Sequence, residues 1–174
     1  MKEVILVNEF DQPLGVLEKL EAHQKGLLHR AFSIFIFNDE NELMLQRRAF
    51  DKYHSGGLWT NTCCSHPDPN ETVEVACHRR LKEEMGFDTA LEFVTSFIYK
   101  AELDQQLTEH EFDHVYIGKY NDRPVINESE VSEWKFVNLT DLENDMKMNP
   151  DHYTVWFKII FSKVKEHLLS QTQR

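Results

Sequence analysis

The chain has 174 residues, with 19 Lys and Arg against 30 Asp and Glu, a formal net charge of −11, and 41% apolar content. That length and balance suit one soluble domain with a single core, spanning residues 1–174. The acidic excess leaves few cations for a nucleic-acid backbone, and the longest apolar run, Ala31 to Phe37, is far short of the roughly 20 residues that cross a bilayer, so neither nucleic acid nor membrane is expected as a partner.

In chain order, Val4 to Val7 reads as a buried strand, Asp11-Gln12-Pro13 as a turn, and Leu14 to Leu17 as a short strand. Phe32 to Phe37 is rich in aromatic and β-branched residues on both faces. With the turn Asn38 to Asn41 and a returning strand Leu43 to Arg47, it predicts a hairpin. Ala49 to Trp59 reads as a loop with Gly56-Gly57 at its tip. Val73, Ala76, Cys77, Leu81 and Met85 then form a helical stripe that Gly86 ends. Further strands are expected at Phe93 to Tyr99, His110 to Gly118 and Trp134 to Val137. Thr140-Asp141-Leu142-Glu143 fits a capping box. A last helix is expected from about Asp151, with Trp156, Ile159, Ile160, Val164 and Leu168 inward. The pattern predicts an α/β fold, a mixed β-sheet sandwiched between helices.

The N-terminal Met1-Lys2-Glu3-Val4 lacks the apolar stretch and cleavage site of a signal peptide, which makes the cytoplasm the expected compartment. Two of the three cysteines, Cys63 and Cys64, are neighbours, where an ordinary disulfide is sterically awkward, so reduced thiols are expected. Nine histidines direct attention to metal ligation and acid–base chemistry.

Four clusters could carry chemistry. In Trp59-Thr60-Asn61-Thr62-Cys63-Cys64-Ser65-His66-Pro67, an extended backbone puts Cys64 and His66 on one face and Cys63 on the other. That pair is either a reactive thiol beside a metal-binding imidazole or a small core residue beside a locally bonded histidine. Glu109 and Glu111 share a strand face, where a metal ion or a retained proton would relieve their repulsion; an exposed acidic edge is the alternative. His23 and His29 flank residues 24–28 at a spacing that matches no standard metal motif. Glu83 and Glu84 close a helix where the dipole disfavours negative charge; a metal–phosphate assembly would explain them, and solvated helix charge with Arg79 and Arg80 one turn back as partners is the alternative.

From Ser65 to Phe87 the chain resembles the Nudix box, matching it at Glu71, Arg79, Leu81, Glu83, Glu84, Gly86 and Phe87. Ser65 stands where the box has Gly, and Arg80 where it has a Glu that helps bind metal in the hydrolases. Those departures fit another branch. The chain is similar to the type 1 isopentenyl-diphosphate isomerases, which share the Nudix fold. The likeness rests on Leu17-Glu18-Lys19 with Ala22-His23, on His29-Arg30-Ala31-Phe32-Ser33 and on Arg47-Arg48-Ala49. It continues through Trp59-Thr60-Asn61 with Cys64-X-His66-Pro67 and Glu109-X-Glu111.

The resemblance implies that His23, His29, His66, Glu109 and Glu111 hold one Mn, Mg or Zn ion, and that a second ion, Mg, bridges the substrate diphosphate to Glu84. It implies Lys19, Arg48, Lys52 and Arg80 as cations around that diphosphate. Cys64 and Glu111 would lie on opposite faces of the alkene, Tyr99 would help place the proton, and Trp156 would cover the hydrocarbon end. The expected partner is a small-molecule diphosphate, with no obligate protein partner. The alternative activity is Nudix hydrolysis of a nucleoside diphosphate derivative, against which Arg80 argues.

Overall fold

A computed structural model describes residues 1–172, with side chains described through residue 170. Its centre is strand β3 (His29–Phe37). The strand pairs antiparallel with β1 (Glu3–Val7), with β4 (Leu43–Arg48) and with β6 (Cys63–Ser65), and parallel with β8 (Thr108–Lys119). Strand β2 (Pro13–Glu18) pairs outside β1, and β7 (Leu91–Glu102) outside β8. Strands β5 (Trp59–Thr60) and β9 (Val131–Val137) both pair with β4.

A strand covered on both faces must be apolar on both, and β3 is. Phe32, Ile34 and Ile36 pack with Ala76, Cys77, Leu81 and Met85 of helix α2 (Val73–Met85). Phe35 and Phe37 share a second core with Phe157, Ile160, Val164 and Leu168 of helix α4 (Val155–Thr172), joined by Leu139 and Leu142 of helix α3 (Leu139–Met148). The expected sandwich is therefore observed. Leu81 is fully buried, and truncating such a side chain to Ala costs about 2–5 kcal/mol.

Three local expectations need correction. Lys19–Lys25 forms a short helix, α1, where no helix is predicted. Its apolar content is low, but the Glu18 carboxylate accepts from the Leu20 and Glu21 N–H groups, and Gly26 closes it at φ +64°. Helix α3 opens at Leu139 rather than through a Thr140 capping box, because Asn138 Oδ1 already accepts from the Thr140 and Asp141 amides. The last helix begins at Val155, not Asp151. A 3-10 turn at Pro150–His152 comes first, and Thr154 then donates its N–H to Trp59 O, tying the start of α4 to β5. Among the described residues, no helix is long and apolar enough to cross a membrane.

Candidate active site

Strand register builds the site. Parallel pairing sets Glu111 beside His29, and antiparallel pairing sets Tyr99 of β7 on the other side of Glu111. One strand over, β6 sets Cys64 beside Ser33. Because side chains alternate, Glu109, Glu111 and Asp113 all point to the α4 face of β8 and are all buried. Cys64 borders the core on that face, whereas Cys63 joins the core under α2, as the alternation predicts.

His23 comes from α1, and its ring packs with His29 and His66 at centroid distances of 5.0 and 5.9 Å. One ligand atom from each of His23, His29, His66 and Glu111 lies within 4.8 Å of the others. His23 Nδ1–H donates to Lys19 O at 2.7 Å, and His29 Nδ1–H donates to Leu27 O at 2.9 Å. Those bonds set each ring's orientation and direct both Nε2 atoms inward, as in a metal site with ordered outer partners. His29 Nε2 and His66 Nε2 stand 3.2 and 2.7 Å from the same Glu111 oxygen. Burial lowers His23, and lowers His66 to about 3, so those two imidazoles are neutral, the form that binds a cation.

Glu109 lines the same cavity but does not belong to that 4.8 Å group, and its buried Oε2 has no hydrogen-bond partner among the described residues. Burial and the Glu111 charge push its carboxyl well above the usual range. Burial also disfavours charge on Glu111, but hydrogen bonds from His29 and His66 outweigh it and hold that carboxylate well below. Two carboxylates, one of them with an orphaned oxygen, and three imidazoles make a donor set that fits a divalent cation. Tyr99 does not line the cavity; it sits behind Glu111 and donates its hydroxyl to the carboxylate's other oxygen.

Lys19, Arg48, Lys52 and Arg80 line the cavity together. Burial and the neighbouring cations Arg48 and Lys52 lower Lys19 to about 8, as expected where positive charges gather without a sufficient anion. Arg80 reaches Glu83 at 2.6 Å and stands 3.7 Å from Glu84 and from Glu130, while Lys52 pairs with Glu130. Glu84 sits with Arg80 and with Cys63, whose thiol donates to Glu84 Oε2 at 2.8 Å; it is not in the histidine group. The Arg48 guanidinium lies 5.0 Å from the ring centre of Trp156, which is buried at the cavity wall. Cys64 donates its thiol proton to Asn61 Oδ1 at 2.8 Å, and burial pushes that thiol's pKa up.

With this geometry in place, comparison with known proteins settles the family. The NUDIX domain family matches residues 27–157. The Photorhabdus laumondii protein named isopentenyl-diphosphate Delta-isomerase 2 is 52% identical over 171 residues, covering 98% of this chain and 97% of its own. The chain belongs to the isopentenyl-diphosphate Delta-isomerases of the Nudix fold. The isopentenyl-diphosphate Delta-isomerase of Pectobacterium atrosepticum is 48% identical, covering 96% of this chain and 93% of its own. The crystal structure of a MutT protein from Methanosarcina mazei superposes with TM-score 0.65 at 17% identity, covering 80% of this chain and 94% of that one, a likeness of fold alone.

Some site residues escape sequence reasoning. His54 is buried, stacks 6.0 Å from His23, and meets Trp156 edge-on at 5.6 Å; burial and Arg48 lower it to about 2. The high histidine count was its only signal. Asp113, two residues past Glu111, was legible as a third residue on that strand face. Its Oδ1 accepts from Ser33 at 3.1 Å, and its buried Oδ2 is unpartnered among the described residues.

Proposed function

We propose that this protein converts isopentenyl diphosphate to dimethylallyl diphosphate by antarafacial 1,3-allylic proton transfer through a carbocation-like state. One observation carries the reading: a half-buried thiol, Cys64, and a buried carboxylate, Glu111, line one cavity that also holds four cations and an indole wall. The cations match a diphosphate, and the apolar wall matches a short hydrocarbon.

The diphosphate binds among Lys19, Arg48, Lys52 and Arg80, which reverse the −11 field locally and orient the substrate. The alkene then lies between Cys64 and Glu111. A proton is added at the terminal alkene carbon from one face, and a proton leaves the allylic carbon on the other, so the net proton count is unchanged. Tyr99 holds Glu111 Oε1 through its hydroxyl and sets the direction of that carboxylate. Trp156 excludes water and offers its face to the developing cation, worth about 2 kcal/mol when desolvated.

His23, His29, His66, Glu109 and Glu111 would hold one Mn, Mg or Zn ion, which supplies positive charge that orders the carboxylates and tunes their proton affinity. Glu84, beside Arg80, would carry a Mg ion bound with the diphosphate. The chain works as one domain, in the cytoplasm, with no nucleic acid and no obligate protein partner in the reaction.

Proton NMR of isopentenyl diphosphate with purified protein and Mg in deuterated water tests the reading. Deuterated dimethylallyl diphosphate is expected. No conversion with thiols reduced, together with cleavage of nucleoside diphosphate derivatives, would replace it with hydrolysis.

A further inference from the structure

We propose that Asn61 is the positioning residue for Cys64, holding its sulfur at the cavity wall as a thiol whose proton is turned inward. The inference builds on the reading of Cys64 as a reacting group and extends it to a residue that never reaches the substrate.

Donor and acceptor counting makes the argument. Asn61 is fully buried, and its Nδ2 donates 3.1 Å bonds to Ile34 O and to Cys63 O. Main-chain carbonyls only accept, so both amide protons are committed and the side chain cannot be flipped. Its Oδ1 therefore faces Cys64 Sγ at 2.8 Å and Thr60 Oγ1 at 3.1 Å, and both neighbours must donate to it. Thr60 thus has no proton left for its other contact, so Thr154 donates to Thr60 Oγ1 at 3.1 Å. Thr154 Oγ1 in turn accepts the Phe157 N–H at 3.2 Å, in the first turn of α4 that also carries Trp156.

The result is a satisfied buried chain from Phe157 through Thr154, Thr60 and Asn61 to the Cys64 thiol. Networks of this kind hold one arrangement, because each broken link strands a desolvated polar atom. Here the chain links the wall that carries Trp156 to the sulfur. A hydrophobic residue at position 61 would leave Ile34 O and Cys63 O without these bonds and the thiol with only the more distant Ser33 hydroxyl, at 3.6 Å, in reach.

The S–H stretching band in Raman spectra of the full-length protein reads this bond directly, and subtracting the Cys64→Ala spectrum isolates the Cys64 band from those of Cys63 and Cys77. We expect the band below the free-thiol frequency in wild type and displaced from that position in Asn61→Ala. In the same variant, kcat should fall at least about tenfold while KM stays within about twofold. A band at the free-thiol frequency in wild type, a band that does not move, or an unchanged kcat in folded Asn61→Ala overturns the proposal. Thr60→Val provides a second reading should Asn61→Ala not fold. Losing the competing donor should strengthen the Cys64 bond and lower its frequency, and an unmoved band there overturns the proposal too. The spectrum does not depend on turnover, so failure of the isomerase reading would appear in the NMR experiment and remove the kcat comparison, while the S–H band would still test the Asn61 bond.

Discussion

Two groups of carboxylates sit a short distance apart in the sequence and have opposite surroundings. On α2 and just before it, Glu83 and Glu71 are answered by arginine. Arg79 grips Glu71 through two bonds of 2.7 and 2.8 Å and reaches Glu83 at 3.3 Å, while Arg80 holds Glu83 as well. On β8, Glu109 and Glu111 are buried without an arginine or lysine hydrogen-bonded to either among the described residues, one oxygen is orphaned, and the nearest partners are imidazoles and a phenol. The first group is a neutralised surface network. The second is a charge-deficient pocket that a divalent cation would complete. On the proposed function, the Nudix motif serves here as scaffold and as the diphosphate side of the site, and the reacting groups lie on the sheet.

Breaking the β8 side should have the largest effect. Glu111→Gln keeps the shape of the side chain but removes the charge and the proton-accepting oxygen, so kcat should drop by about a thousandfold or more, with the folded far-UV spectrum retained. A variant with wild-type turnover would refute the assignment. Chelation comes next. Stripping divalent ions should abolish turnover and lower the melting temperature, and restoring Mn or Mg at about 100 times its Kd should return about 2.7 kcal/mol of stability. The same addition should leave the melting temperature of a His29→Ala variant nearly unmoved, as differential scanning fluorimetry would record.

Arg80→Ala probes the boundary between the two groups, because this side chain touches both Glu83 and the cavity. Its loss should raise KM for the diphosphate substrate about tenfold and change kcat less, in steady-state assays. The smallest effect belongs to Arg79→Ala on the neutralised side. The pair is part-buried but lies outside the cavity, so the loss should be about 1–2 kcal/mol of stability, with turnover intact. Its pH dependence has a definite sign. Arg79 holds the Glu71 carboxyl below its usual value, so the stabilisation is full above the unfolded carboxyl pKa of about 4.3 and fades as pH falls through the folded value. The difference in melting temperature between wild type and Arg79→Ala should shrink in acid.

Elements with strong periodicity were legible in the sequence. The α2 stripe runs from Val73 to Met85 and stops at Gly86, as predicted, since a left-handed cap at φ +73° favours glycine. The opposite faces of Cys63 and Cys64 followed from strand alternation alone. Helix α1 was not legible, because a seven-residue helix has almost no periodic signal and depends on the Glu18 cap and on burial of Ala22 and His23.

By itself, then, the sequence determined the strands and helices with clear hydrophobic periods, the acidic balance, the family motifs and the residue types able to bind a cation and a diphosphate. Only the tertiary structure decided which of them meet. Pairing β3 with β8 in parallel joined His29 to Glu111 across 82 positions of chain, and pairing β3 with β6 brought Cys64 to Ser33. It also separated Glu84 from the histidine group, drew in His54, and oriented Asn61 toward the thiol. Local sequence carries the period of an element and the chemistry of its side chains. Register between distant strands, and the direction in which a buried amide spends its protons, exist only once the sheet has closed.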